Sequence, residues 1–276
     1  MDYRNIIAIL VIAYYSLTFP LAAYLVYRRG WKASWETWFL LASFSVSRIA
    51  YGALQVSTIA NPDSIGLRIA AAAFAFDGLA ALFFCSIGLL KGVRERVEKL
   101  EIVTGVRPGY FRLCEALVTA ASICASIGYS SLTNDEVLYG MRRHPSTMIA
   151  AAAMYIVVFA IIIACAAAMM AHLRRICPAD QRTLLVLSCT HAFLLVRTVY
   201  LCLDILGNLP TYSAIRGSVT AFLLMALLEE AVVMAAFLAL GYAFDPTSAG
   251  KSGIRTAEDG LRLGSAESKA SGAAQT

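Results

Sequence analysis

Two arginines lie where a membrane-spanning sequence is expected to hold none. Arg48 sits near the middle of an apolar run, in the order Phe44, Arg48, Tyr51, Leu54, Gln55, and the spacing returns as Phe193, Arg197, Tyr200, Leu203, Asp204. Positions i, i+4, i+7 and i+11 fall along one stripe of a helix. Each stripe therefore carries a ring, a cation, a phenol and a polar tip. Carboxylates stand at matching depth: Asp77 in the third apolar run and the pair Glu229–Glu230 in the seventh. Arginines so placed can meet an anionic or polar ligand. Carboxylates beside them can balance that charge or relay protons.

A central Arg or Asp facing lipid costs about 2.5–3.5 kcal/mol each on insertion scales. Arg48, Asp77, Arg197, Glu229 and Glu230 are thus expected to face the bundle interior and to pair. Arg48 with Asp77 and Arg197 with Glu229 or Glu230 are the expected pairs. Adjacent glutamates project about 100° apart on a helix, so one carboxylate should be left over. The candidate polar centre is Arg48, Tyr51, Asp77, Arg197, Tyr200, Glu229 and Glu230. Buried charges of this kind can fix helix register, hold a ligand or act in catalysis, and the spacing leaves all three open.

The elements that must position these residues are helices in lipid. Of 276 residues 59% are hydrophobic and 15% charged, against roughly 45–50% and 25% in soluble domains. Apolar runs long enough to span fall at about 6–27, 38–59, 68–90, 113–132, 147–171, 183–206 and 217–243. The fold class expected is all-α: a multi-pass bundle of seven transmembrane helices over 1–243, with a disordered cytosolic tail over 244–276. The first run lacks a basic region followed by a small-residue cleavage site and is expected to be a retained helix.

Sidedness follows from Lys and Arg in the short loops. Arg28, Arg29, Lys32, Lys91, Arg94, Arg96, Lys99, Arg107, Arg112, Arg174, Arg175 and Arg182 share one side, and only Arg4, Arg68, Arg142, Arg143 and Arg216 the other. That places the N-terminus outside and the C-terminus in the cytosol. Topology then explains the net charge of +5, and no nucleic-acid partner is needed. The charged stretch 91–112 is expected to extend the third helix into the cytosol. Trp31, Trp35 and Trp38, with Tyr24 and Tyr27, are expected to form an interfacial aromatic belt. The echoed stripe suggests a 3+1+3 arrangement of two parallel repeats, as in some sugar transporters.

Cysteines at 85, 114, 124, 165, 177, 189 and 202 form no C-x-x-C pair and are expected to be mostly buried, small apolar residues. His144, His172 and His191 are too scattered for a metal site. No Gly-rich phosphate loop or nucleophile elbow is present, so neither metal nor cofactor is expected. Lipid is the one partner the composition implies. Ligand, oligomeric state and the choice between plasma membrane and endomembrane stay open.

The chain resembles a family of uncharacterised fungal seven-helix integral membrane proteins. The resemblance rests on Arg48, Ile49 and Gly52 of the second run, Arg197 and Tyr200 of the sixth, and Glu229–Glu230 of the seventh. It implies topology more than activity. Membrane-bound terpene cyclases of similar length use intramembrane carboxylates, but Trp35–Glu36, the one Trp-Glu step here, falls at the cytosolic edge. The expected function is transport or binding of a small polar or amphipathic molecule. An intramembrane cyclase or lyase of fungal secondary metabolism, with Asp77, Glu229 or Glu230 as general acid, and a seven-helix receptor are the alternatives.

Overall fold

The computed structural model describes residues 3–30, 35–61, 64–98, 105–131, 145–173, 176–207, 210–212 and 217–243. The tail expected over 244–276 lies outside the described residues. Among the described residues there are helices and no strands. The helices are α1 (Tyr3–Arg29), α2 (Leu40–Ala60), α3 (Ile65–Glu98), α4 (Pro108–Ser130), α5 (Ser146–Met170), α6 (Pro178–Ile205) and α7 (Val219–Ala243). A π-helical turn, Trp35–Phe39, leads into α2. All seven are long and apolar enough to cross a membrane, so the chain is a multi-pass membrane protein.

Hydrophobic runs set where each helix spans, and local chemistry sets where it ends. Gly30 at φ 80° closes α1, a left-handed end that a side chain would resist. Pro108 and Pro178 open α4 and α6. Proline's missing N–H costs nothing in the first turn, which is why both helices begin about five residues before their apolar runs. Helix α3 has 34 residues, about 51 Å at 1.5 Å per residue, and so overshoots a hydrocarbon core of about 30 Å. Its overshoot is the charged extension expected after residue 90. There Arg94 pairs with Glu98 at 2.9 Å and its Nε donates to the Val106 carbonyl at 2.9 Å. Arg96 reaches Asp180 at 2.7 Å, in the first turn of α6, where the helix dipole also favours a carboxylate.

Helix α3 stands at the centre, packed on α2, α4, α5 and α6. Its inner faces carry Ala71, Ala72, Ala75, Gly78 and Ala80, and small residues let membrane helices approach closely. Helix α1 lies on α2, where a Cβ at Gly52 would stand 2.6 Å from Ile12 Cγ1. Tyr14 closes the bundle by donating its hydroxyl to the Ala231 carbonyl of α7 at 2.8 Å. Outward, Leu10, Leu17 and Leu224 are exposed, as lipid-facing positions are.

The chain divides after Leu238 into two units. The described part of the second, Ala239–Ala243, is the end of α7.

Two expectations change. Trp38, expected on an interfacial belt, is buried within the bundle rather than facing outward, with the Arg29 guanidinium 4.6 Å from its ring. Tyr24 and Tyr27, by contrast, are exposed. Trp31 and the side chain of Trp35 lie outside the described residues. Of the cysteines, expected to be mostly buried, Cys85, Cys114 and Cys165 are buried, Cys124 and Cys202 are partly buried, and Cys177 and Cys189 are exposed.

Tyr14→Phe removes the hydrogen bond between α1 and α7. We expect it to lower stability by about 1 kcal/mol, typical of interhelical bonds in membranes, seen as a drop of a few degrees in thermal midpoint in detergent. An unchanged midpoint would deny that bond a part in closing the bundle.

Candidate polar centre

The two arginine stripes converge on one carboxylate. Glu230 Oε1 accepts from Arg48 Nη2 at 2.6 Å and from Arg197 Nε at 2.9 Å. Nη2 of each arginine also donates to the same backbone oxygen, that of Ala75, at 3.1 and 3.0 Å. Helices α2, α3, α6 and α7 are thus tied at a point. The three charged side chains are 1%, 4% and 1% exposed for Arg48, Arg197 and Glu230.

Local sequence explains why the point falls there. A helix carbonyl points toward the side chains three and four positions on, and residue 78 is glycine. A Cβ there would fall onto the Arg48 guanidinium, reaching Cζ at 2.5 Å. The missing side chain leaves the Ala75 oxygen open to both arginines. Gly78 therefore belongs to the site, although its side chain offers no chemistry.

In α7 the π-helical turn Leu223–Leu227 precedes the glutamates. Phe222 and Glu230 would stand roughly 80° apart in an uninterrupted α-helix, at 100° per residue. The extra residue taken up by the π turn brings them close to the same face. Phe222 accordingly packs between Tyr51 and Tyr200, at 6.0 and 6.4 Å between ring centroids. Tyr212 continues the aromatic group from Tyr200 at 6.1 Å. Rings also face the cations: Arg48 lies 5.3 Å from Phe44 and 6.0 Å from Tyr51, and Arg197 lies 5.5 Å from Tyr200. Such contacts contribute about 0.5–2 kcal/mol, more as water is removed.

The expected pairing of Arg48 with Asp77 is not formed. Asp77 is exposed, because it lies two residues, about 200°, around α3 from Ala75. Depth in the membrane agreed with a pair, but helix phase did not. Arg197 pairs with Glu230, not Glu229. The carboxylate left over is Glu229, 8% exposed, with its Oε2 buried and without a hydrogen-bond partner. Tyr51 and Tyr200 are buried beside their arginines. The echo between the stripes stops at the phenylalanines: Phe44 is 1% exposed and Phe193 38%.

Tyr15 was not among the residues expected here. It is 2% exposed, packs edge-on against Phe44 at 5.4 Å, and lies within electrostatic reach of Glu230 and Arg48. Its hydroxyl is buried without a hydrogen-bond partner, as are Arg48 Nε and Glu230 Oε2. A tyrosine in an apolar helix gives little signal in sequence, since most serve packing. His191 is buried at the edge of the Phe159 ring, 6.4 Å between centroids, and is part of the core. Among the described residues no three His, Cys, Asp or Glu side chains could hold a metal ion together.

The profile of a family described as a domain of unknown function, DUF7702, matches residues 1–247. The chain belongs to that family. No curated protein matches the chain, and no solved structure does.

Removing one member of a buried ion cluster strands the others and costs about 3–5 kcal/mol. Glu230→Ala should therefore lower the thermal midpoint and membrane level far more than Glu229→Ala. Gly78→Ala should also destabilise, by about 1–3 kcal/mol as overpacking does. Equal effects from the two glutamates would contradict the shared-carboxylate geometry.

Proposed function

We propose that the Arg48–Glu230–Arg197 centre is the binding site of a small polar or amphipathic molecule that the protein carries or holds within the membrane. The observation that carries this reading is the set of buried polar atoms left without partners around the triad: Tyr15 Oη, Arg48 Nε, Glu229 Oε2 and Glu230 Oε2. Buried polar groups in proteins are nearly always paired with protein or water, and each one left alone costs about 1–3 kcal/mol. A cluster built only to hold helices together gains nothing from them. A cluster that awaits a ligand needs them.

The aromatic group Tyr51, Phe222, Tyr200 and Tyr212 beside the arginines supports an amphipathic molecule, with a polar end on the triad and an apolar body on the rings. Glu230 Oε1 is taken up by two guanidiniums, and Asp77, though within electrostatic reach of Arg48, is exposed rather than buried with the triad. Of the carboxylates proposed as a general acid, Glu229 is the one that is buried without pairing to either arginine. The cyclase or lyase reading is therefore the weaker. The basic residues clustered at one set of helix ends support a cytosolic C-terminus.

The test compares extractable and exported metabolites of cells making the native protein, cells lacking it, and cells making Arg48→Ala or Arg48→Lys. Lysine can still place one ammonium between Glu230 and the Ala75 carbonyl, but it lacks the Nε donor. With protein present in the membrane, both variants should reproduce the profile of cells lacking the protein. Redistribution between cell and medium would mark transport, and a lost product with accumulated precursor would mark an enzyme. A native profile from Arg48→Ala at normal protein level would overturn the ligand site.

A further inference from the structure

We infer that the ligand's polar end is a neutral hydroxyl, seated between Tyr15, Arg48 and Glu230; this rests on the binding-site reading above. The atoms without partners are of both kinds. Arg48 Nε can only donate, and Glu230 Oε2, on a carboxyl group whose other oxygen accepts from two guanidiniums, offers an acceptor. Tyr15 Oη can do either.

A carboxylate or phosphate would bring acceptors alone and set them against Glu230 Oε2 and the neighbouring Glu229 Oε2. An ammonium would bring donors alone and set them against Arg48 Nε. A hydroxyl accepts from Arg48 Nε, donates to Glu230 Oε2 and exchanges a hydrogen bond with Tyr15, so one group satisfies all three helices. The three side chains are each at most 2% exposed, so the hydroxyl would be fully desolvated, where such bonds discriminate most. The ring of Phe44, packed on both Tyr15 and Arg48, offers the adjoining apolar wall. Tyr15 thereby becomes a ligand-binding residue. Its neighbour Tyr14, whose hydroxyl is engaged by Ala231, does not.

The experiment uses the full chain in lipid nanodiscs and three photoreactive probes with the same long alkyl chain, ending in an alcohol, a carboxylate or an amine. Crosslinked peptides are mapped by mass spectrometry. The alcohol probe should label α1, α2 or α7 near Tyr15, Arg48 and Glu230 in preference to the other two. Tyr15→Phe, which removes one oxygen and leaves the ring, should reduce that labelling roughly tenfold, the loss expected for a buried hydrogen bond. Tyr14→Phe should leave the probe preference unchanged. Stronger labelling of the same peptides by the acid or the amine would overturn the hydroxyl assignment while leaving the binding site standing. Full labelling by the alcohol in Tyr15→Phe would overturn the role of Tyr15. If no probe labels these helices, as when the site holds only water, both the hydroxyl assignment and the binding-site reading fall.

Discussion

One carboxylate oxygen shared by two arginines is the constraint on which the structure turns. Glu230 Oε1 lies within 3 Å of both guanidiniums, and both reach on to the Ala75 carbonyl. With all three side chains buried, losing any one of these partners would strand a charge away from bulk water. The helices that carry them must therefore keep their depth and their phase. Several features that look unrelated follow from that requirement. Gly78 must lack a side chain so that the Arg48 guanidinium can lie on α3. The π turn in α7 must rotate Glu230 onto the face that Phe222 occupies. The small inner residues of α3 must let α2 and α6 come close enough for two arginines to meet one backbone oxygen.

Such a cluster is a poor way merely to hold helices together. Desolvating charged groups is costly, and well-packed apolar residues often serve as well or better. What a buried cluster can provide is a fixed array of donors and acceptors that cannot relax away from a ligand. The orphaned atoms of Tyr15, Arg48, Glu229 and Glu230 have that character. Their neighbours Phe44, Tyr51, Tyr200 and Phe222 supply the apolar side. An amphipathic ligand fits both halves of this description, and membership in a family of unknown function neither names it nor argues against it.

Much of the fold was legible in the sequence, because an apolar run of bilayer length has few alternatives to a spanning helix. Helix ends were less so. Pro108 and Pro178 lengthen α4 and α6 beyond their hydrophobic runs, and the charged turn to Glu98 lengthens α3. The two arginines and the acidic pair were visible as charges at one depth. Their pairing was not, since depth along a helix is read from position, whereas direction depends on how each helix is rotated in the bundle. Asp77 shows the difference: right in depth, it points about 200° away from Ala75. The Ala75 carbonyl could not have been found from side-chain chemistry at all. Gly78 left a trace, as one of several small residues on α3, but nothing set it apart. Tyr15 was hidden because a phenol in a membrane helix usually packs.

The claim that the centre serves a ligand, beyond tying four helices, is tested most directly by replacing the whole cluster with apolar residues of similar size: Arg48→Met, Arg197→Met, Glu229→Leu and Glu230→Leu together. No charge is then left stranded, so the variant should fold with a thermal midpoint at or above the native one. If the centre is a ligand site, cells making this stable variant will show the metabolite profile of cells lacking the protein. A native profile from the stable apolar variant would contradict the claim and leave the cluster as architecture alone.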